Sequence, residues 1–146
     1  MSSTLTFRSA LSQTVLIPEQ FTGTKPLQAR TSYFTRNTAL VLKVVGTDAT
    51  IKSTLEDWLI IGRGLDNNDH HLDLSRFGAE QLGVSRRHIR LIRGTTTLVI
   101  EDLGTRNGTY VNGKKLPIGQ HAILSDGDEI RLGKITFVVR FERKNA

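Results

Sequence analysis

From about residue 39 to its end, the chain consists of short apolar runs and alternating apolar and polar positions, separated by turn-forming residues. Between Ile135 and Phe141 every second residue is apolar, which predicts a strand with one buried face. Asn112-Gly113 strongly indicates a hairpin, because a type I′ turn needs positive φ at both central residues. The pattern predicts these strands: Leu40–Val45, Ala49–Leu55, Trp58–Ile61, His71–Leu74, His88–Ile92, Leu98–Glu101, Thr109–Val111, His121–Ile123, Asp128–Leu132 and Ile135–Phe141.

Short strands at this spacing are typical of an all-β sandwich or barrel. The strand pattern leaves both architectures open, and in a sandwich the loops gathered at one end can converge on a common site. A single helical turn is expected within Arg76–Gly83, and Trp58 is expected to pack in or against the core. The sequence contains no internal repeat.

The first part of the chain has a different composition. Residues 1–36 are rich in Ser, Thr and Gln, and neither strand nor helix periodicity persists there. We therefore predict a flexible N-terminal tail over residues 1–36 and one folded domain over residues 37–146. Within the tail, only the short run Val15-Leu16-Ile17 resembles a segment that could pair with a sheet edge.

Composition narrows the class of protein. The chain has 146 residues, 38% of them hydrophobic, which is ordinary for a soluble domain. The absence of cysteine excludes disulfides and Cys-ligated metal sites. No apolar run approaches the ~20 residues of a membrane span, and no signal peptide is evident, so a cytoplasmic location is expected. The net charge of +6 favours an anionic partner.

Candidate chemistry concentrates in three predicted loops that contain arginines beside hydroxyl and amide groups. A phosphothreonine brings ~ −1.5 to −2 charge and three acceptor oxygens, and arginine offers a planar fork of donors that matches them. Hydroxyls add neutral donors, and an asparagine can clamp the backbone of an extended peptide. The three segments are Gly62-Arg63, Ser85-Arg86-Arg87-His88 and Thr105-Arg106-Asn107-Gly108.

The order and spacing of these segments resemble the signature of forkhead-associated (FHA) domains. Matching residues around them extend the resemblance from about Leu40 to Arg143, namely Asp73-Leu74, Asp102-Leu103-Gly104 and Asp126-Gly127-Asp128-Glu129-Ile130. The resemblance implies an FHA-like β-sandwich of two twisted, mostly antiparallel sheets with about 10–11 short strands, in which the loops at one end form the binding site. It implies neither enzymatic activity nor a cofactor. It also implies a function: docking of partner proteins that a Ser/Thr kinase has phosphorylated on threonine.

The resemblance also implies a role for each matching position. Arg63 and Ser85 would bind the phosphate, joined by Arg86 and Arg106. Asn107 and Thr105 would bind the peptide backbone. Structural roles at the site would fall to the remaining positions, which are Gly62, His88 and Gly108.

Two positions depart from the family pattern. Thr105 replaces the more usual Ser, which keeps the hydroxyl. The span from Arg63 to Ser85 is longer than usual in the family, and the extra residues include Asp66–His71. This insertion should lengthen a loop near the site and alter what flanks the peptide. Arg87 is expected to face solvent or form a structural ion pair.

Enzymatic and metal-binding alternatives have weaker support. Ser85, His88 and Asp102 could suggest a hydrolytic triad, but no nucleophile-elbow motif accompanies them. His70-His71 is a poor metal pair, because adjacent strand residues point to opposite faces. The segment that begins at Gly108 superficially resembles a phosphate-binding P-loop, but it is followed by Lys115 and not by Ser or Thr.

Two further binding functions stay open. A basic β-barrel could bind nucleic acid, although single-strand binders need aromatic platforms and this chain has few aromatic residues. Scaffolding through phosphate-independent surfaces is the other alternative. The preferred interpretation involves no nucleic acid and no membrane. It allows self-association through an N-terminal tail phosphorylated at Thr14, Thr22 or Thr24.

Overall fold

The computed structural model describes residues 31–144, in which eleven strands form two sheets. A 3-10 turn, Ser75–Phe77, lies between the fourth and fifth strands. The strands are β1 (Thr38–Val44), β2 (Thr50–Ser53), β3 (Trp58–Gly62), β4 (His71–Asp73), β5 (Ile89–Arg93), β6 (Leu98–Asp102), β7 (Thr109–Val111), β8 (Lys114–Lys115), β9 (His121–Leu124), β10 (Glu129–Leu132) and β11 (Ile135–Arg143).

The six-stranded sheet has the order β2-β1-β11-β10-β7-β8, and the five-stranded sheet has the order β4-β3-β5-β6-β9. Neighbouring strands are antiparallel except for β3 and β4, which are parallel. The predicted all-β fold of two mostly antiparallel sheets is therefore confirmed.

The core lies between the two sheets and follows the predicted alternation. In β11, Ile135, Phe137 and Val139 are buried, whereas the residues between them are more exposed. Each fully buried side chain of this size contributes roughly 1.5–3 kcal/mol. Phe34, which precedes β1, is also fully buried and packs edge-on against Phe141 with the ring centroids 4.9 Å apart. The core therefore begins a few residues before position 37, where the domain was predicted to start.

The hairpin predicted at Asn112-Gly113 connects β7 to β8, and both residues have positive φ, at 51° and 83°. The strand β8 was not predicted, because Lys114-Lys115 carries no apolar signal and pairs only as the short second arm of this hairpin. The helical turn lies at Ser75–Phe77, so it begins one residue before the segment Arg76–Gly83 in which it was expected and overlaps its first two residues. It ends at Gly78, whose φ of 75° is left-handed.

Trp58 lies at the start of β3 and is only half buried. Its ring stacks on that of His70, with the centroids 4.3 Å apart and the planes 15° apart. His70 Nδ1 also forms a hydrogen bond with the Trp58 carbonyl at 3.2 Å. These contacts anchor the long connection between β3 and β4. Among residues 31–144, no helix is long and apolar enough to cross a membrane.

Candidate functional site

The end of β3 and the segment before β5 approach each other unusually closely. A Cβ at Gly62 would lie 1.9 Å from the carbonyl oxygen of Arg86, so only glycine fits at this point. Directly after Gly62, the backbone N–H of Arg63 donates to the carbonyl oxygens of Ser85 and Arg86, both at 3.2 Å. Two of the three predicted site segments are thus fixed together through their backbones.

The Arg63 side chain is half buried and turns toward the same segment. Its Nε–H donates to the carbonyl oxygen of Val84 at 2.8 Å. Within residues 31–144, neither terminal nitrogen of this guanidinium has a hydrogen-bond or ion-pair partner. One bond to the protein therefore orients the arginine, while the donors best suited to an oxyanion are left open.

The third predicted segment reaches the same place through Asn107. Its side-chain Nδ2 donates to the carbonyl oxygen of Gly83 at 2.9 Å. Gly83 has a φ of 82°, and a Cβ there would lie 2.6 Å from Asn107 Nδ2, so glycine is required for this contact. Arg63, Ser85 and Asn107 consequently all meet around residues 83–85, as the sequence predicted that they should.

His88 is fully buried and connects two of the loops. Its Nδ1 accepts a hydrogen bond from the backbone N–H of Ser85 at 3.0 Å, so the proton resides on Nε2, which lies 2.9 Å from the Gly108 carbonyl oxygen. Burial lowers the pKa of His88, against opposing effects of the Gly108 carbonyl and the Asp102 charge. A neutral His88 therefore holds the loop of Ser85 against the loop of Asn107.

Asp102 organises the loop between β6 and β7 from inside. Its carboxylate accepts hydrogen bonds from the hydroxyls of Thr105 (2.8 Å) and Thr109 (2.5 Å) and from the backbone N–H groups of Gly104 and Thr105. Burial by itself would raise the pKa of this carboxyl, but the hydrogen bonds, led by those of Thr109 and Thr105, lower it. Asp102 is therefore an ionised turn-former.

These contacts give Thr105 an internal position. Its hydroxyl donates to Asp102 and accepts from the backbone N–H of Gly108 at 3.0 Å. The hydroxyl is therefore engaged inside the loop and not directed at a peptide backbone, which was its predicted role. A triad is not formed either, because Asp102 hydrogen-bonds threonines and the imidazole of His88 faces two backbone groups.

The other three predicted arginines, Arg86, Arg87 and Arg106, are exposed at the same loops. In the part of the chain that the structure describes, none of them forms an ion pair with a carboxylate. The predicted structural ion pair of Arg87 is thus not formed there, and its exposure agrees with the solvent-facing alternative. Together with Arg63, these side chains give the loop end a concentrated positive charge.

The inserted loop after Arg63 has internal hydrogen bonds that were not predicted from the sequence. Asp73 Oδ1 accepts hydrogen bonds from the backbone N–H groups of Gly64 (2.7 Å) and Ser75 and from the Ser75 hydroxyl (2.8 Å). Burial would raise the Asp73 pKa, yet these bonds, first among them that of the Ser75 hydroxyl, lower it. Asp-x-Ser in the sequence is the signal that could have indicated this turn.

Two further residues lie beside the site without having been predicted. The Lys115 side chain passes over Gly108, where an added Cβ would lie 3.0 Å from Cε and 3.7 Å from Nζ. Lys134, in the turn between β10 and β11, donates its backbone N–H to the Leu82 carbonyl oxygen at 2.7 Å. Neither position could be found from sequence, because both depend on how separate hairpins pack.

A family model for the FHA domain matches residues 59–133, which is more than half of the chain and includes all three site segments. The chain belongs to the FHA domain family. Its fold agrees with that of a solved FHA domain from a study of phosphothreonine-dependent FHA interactions. That structure is 33% identical, with a TM-score of 0.56, over 71% of this chain and 97% of the other.

Curated relatives share this domain within longer proteins. The FHA domain-containing protein FhaA of Mycobacterium tuberculosis is 38% identical over 56% of this chain and 13% of its own length. The glycogen accumulation regulator GarA of the same species is 30% identical over 54% of this chain and 46% of its own length. This FHA domain thus spans less than half the length of these relatives. A crystal structure of the FhaA domain complexed with another protein's intracellular domain matches with a TM-score of 0.52, at 35% identity, over 70% of this chain and 99% of that one.

Proposed function

We propose that this chain is a phosphothreonine-peptide-binding signalling module that docks partner proteins phosphorylated by a Ser/Thr kinase. One observation carries the proposal: Arg63 has its Nε bound to the carbonyl of Val84, next to the Gly83 carbonyl that Asn107 contacts, while both of its terminal nitrogens are open. Such a fixed and incompletely satisfied guanidinium suits a phosphate dianion. The similarity to FHA domains studied for phosphothreonine-dependent interactions supports the same ligand.

The residues divide into two groups in this proposal. Arg63 and the Ser85 hydroxyl bind the phosphate oxygens directly, while the exposed Arg86 and Arg106 reach the phosphate from the rim. Asn107 binds the peptide backbone with the amide atoms that its bond to Gly83 leaves free. Thr105 contributes by shaping the loop. Gly62, His88 and Gly108 fix the loops relative to one another.

The proposal includes no reaction and no cofactor. The open donors of Arg63 and Asn107 can hold a phosphate but supply no nucleophile or base. A cytoplasmic location, where a Ser/Thr kinase would phosphorylate the partner, is part of the proposal. Nucleic acid and membrane are not among the proposed partners.

Isothermal titration calorimetry with matched peptides tests this function. A phosphothreonine peptide library should yield binders in the micromolar range, and the same peptides without phosphate should give no heat. Arg63→Ala should remove most of the affinity, while Lys43→Ala, an exposed cation on β1, should retain it. Equal binding of phosphorylated and unphosphorylated peptides, or full affinity in Arg63→Ala, contradicts the proposal.

Self-association through a phosphorylated tail is a further part of the proposal. The threonines concerned, Thr14, Thr22 and Thr24, lie outside the described residues. Sedimentation of kinase-treated protein should show oligomers that Arg63→Ala abolishes. If kinase-treated protein remains monomeric at high concentration, this part is wrong.

A further inference from the structure

Three residues form a row across one face of the six-stranded sheet, immediately beside the loop of Asn107. Lys115 of β8 is directly opposite Tyr110 of β7, and Tyr110 is directly opposite Arg131 of β10. Side chains that are opposite each other on neighbouring strands lie about 4.5–5.5 Å apart at Cβ. We call Lys115, Tyr110 and Arg131 the basic row.

The basic row is ordered by contacts of its own. The Arg131 guanidinium lies over the Tyr110 ring, 4.0 Å from its centroid, and its NH1 donates to the Gly133 carbonyl oxygen at 2.8 Å. At the other end, the Lys115 side chain crosses over Gly108, the neighbour of Asn107. The row is thus continuous with the part of the site proposed to clamp the peptide backbone.

The cations of the row are not neutralised by the described part of the protein. Among residues 31–144, neither Lys115 nor Arg131 is within ion-pair distance of a carboxylate. Lys52, on the edge strand β2 of the same sheet, does have such a partner, because it lies 3.3 Å from Glu142. Lys115 and Arg131 are therefore two positive charges without an acidic partner in the described part of the chain, next to the Asn107 loop that is proposed to bind the peptide backbone.

We propose that the basic row binds a second anionic side chain of the docked phosphopeptide, either a carboxylate or a second phosphate, on a residue near the phosphothreonine. The inference rests on the proposed function and adds a sequence preference to it. The chemistry follows from two cations flanking an aromatic ring. An anion between Lys115 and Arg131 interacts with both positive charges, and the Tyr110 ring holds the Arg131 guanidinium in place beside it.

A nucleic-acid ligand fits the row less well. Single-strand binders stack bases on open aromatic faces, and one face of Tyr110 is covered by the Arg131 guanidinium at 4.0 Å. What remains open on the row is positive charge beside a peptide clamp. An acidic peptide residue uses that charge without needing the covered ring face.

Fluorescence anisotropy with three peptide series tests the proposal. Every peptide contains one phosphothreonine. The first series places alanine, the second glutamate and the third phosphoserine, one position at a time, at each position up to four residues away on either side. At the best position, glutamate should tighten binding about threefold relative to alanine, and phosphoserine should tighten it more. The preference should decline as salt is raised. Lys115→Gln and Arg131→Gln should each reduce the glutamate-to-alanine affinity ratio toward one.

Lys43→Gln is the matched control, because it removes the same charge from an exposed position on β1 of the same sheet. It should leave the ratio unchanged. If phosphothreonine peptides bind but no position prefers an acid, or if the preference survives in both basic-row variants, the second subsite is refuted while the proposed function stands. If no phosphothreonine peptide binds at all, both are refuted. A preference only for phosphoserine identifies the second anion as a phosphate.

Discussion

Arg63 and Arg93 are both partly buried arginines at strand ends of the five-stranded sheet, but they are satisfied very differently. Arg93 donates from Nε, NH1 and NH2 to backbone carbonyl oxygens of Leu55, Glu56 and Thr35, and its guanidinium lies over the Phe34 ring at 4.6 Å. Arg63 donates only from Nε, to Val84. The first arginine is part of the protein's internal structure, whereas the second is oriented but left with open donors.

The same contrast extends to the two ends of the sandwich. Toward the end that contains Arg93, exposed cations have acidic neighbours: Arg36 with Glu56, Lys52 with Glu142 and Arg140 with Asp126. At the loop end, the acids Asp73 and Asp102 accept hydrogen bonds from hydroxyls and backbone N–H groups. Arg63, Arg86, Arg87 and Arg106 have no carboxylate partner among residues 31–144. These arginines thus remain available to an anion, because the nearby acids are held by hydrogen bonds within their own loops and do not pair with them.

The largest effect that we predict comes from disrupting the close approach that positions Arg63. Gly62→Ala places a Cβ 1.9 Å from the Arg86 carbonyl oxygen, so the backbone must shift and unfolding free energy should fall by about 3 kcal/mol. Gly46→Ala is the control, because Gly46 also resists substitution (φ 84°) but has nothing within 4 Å. It should cost only about 1–2 kcal/mol. Urea denaturation measures both, and equal losses would contradict the close approach.

The next largest effect should come from Arg93→Ala, which should lower the free energy of unfolding without changing phosphopeptide affinity. Removing the side chain leaves partly buried carbonyl oxygens of Leu55 and Thr35 without this donor and removes the cation–π contact, for a loss of about 2–3 kcal/mol. Phosphopeptide affinity at a temperature well below unfolding should be unchanged. Calorimetric unfolding and peptide titration on the same sample check this. A large affinity loss in folded Arg93→Ala would remove the distinction between the two arginines.

Arg63→Ala should have the opposite effect: a large loss of phosphopeptide affinity and only a small loss of stability. Loss of its charged hydrogen bonds to phosphate should cost about 1.5–3 kcal/mol of binding free energy, whereas loss of the bond to Val84 should cost only about 1 kcal/mol of stability. Arg63→Lys keeps the charge without the fork and should recover part of the affinity. Peptide titration measures the affinity of each variant and urea denaturation measures its stability. A variant that binds the phosphopeptide normally but unfolds easily would contradict the proposed role of Arg63.

The fold could be predicted almost completely from the sequence, because alternation in segments such as β11 reports burial directly. Asn112-Gly113 likewise determined a hairpin through its backbone requirement alone. Prediction failed where local residues carry no signal. Phe34 precedes the periodic region, and only its contact with Phe141 shows that it belongs to the core. Strand β8 exists because a hairpin folds two lysines back onto β7.

The site could be located from sequence motifs, but not the way its side chains are used. The motifs placed Arg63, Ser85 and Asn107 together, and the structure brings them to one segment. Thr105 was predicted to bind the peptide backbone, because a loop hydroxyl can hydrogen-bond a ligand as well as it can hydrogen-bond another residue of its own loop. Its bond to Asp102 depends on loop geometry that no motif specifies. The basic row was invisible for the same reason, since Lys115 and Arg131 become neighbours of the site only through strand pairing.

The smallest effect that we predict is a pH dependence centred on His88, the residue that joins the two loops around Arg63. Its pKa is lowered below the ordinary 6.5, chiefly because it is buried. The unfolded chain therefore takes up a proton at a higher pH than the folded chain does. The stabilisation is complete above about pH 6.5 and is lost as pH falls through the folded pKa.

Histidine NMR resolves this residue from the others and avoids a complication of binding experiments, since phosphate itself titrates near pH 6. The His88 ring should be neutral with its proton on Nε2 at pH 7.5 and should titrate with a midpoint below 6.5. The unfolding free energy should decline as pH falls below 6.5. A midpoint at or above 6.5, or a ring protonated on Nδ1 at neutral pH, would mean that Ser85 is not held through this imidazole. The open geometry at Arg63 would then need another cause.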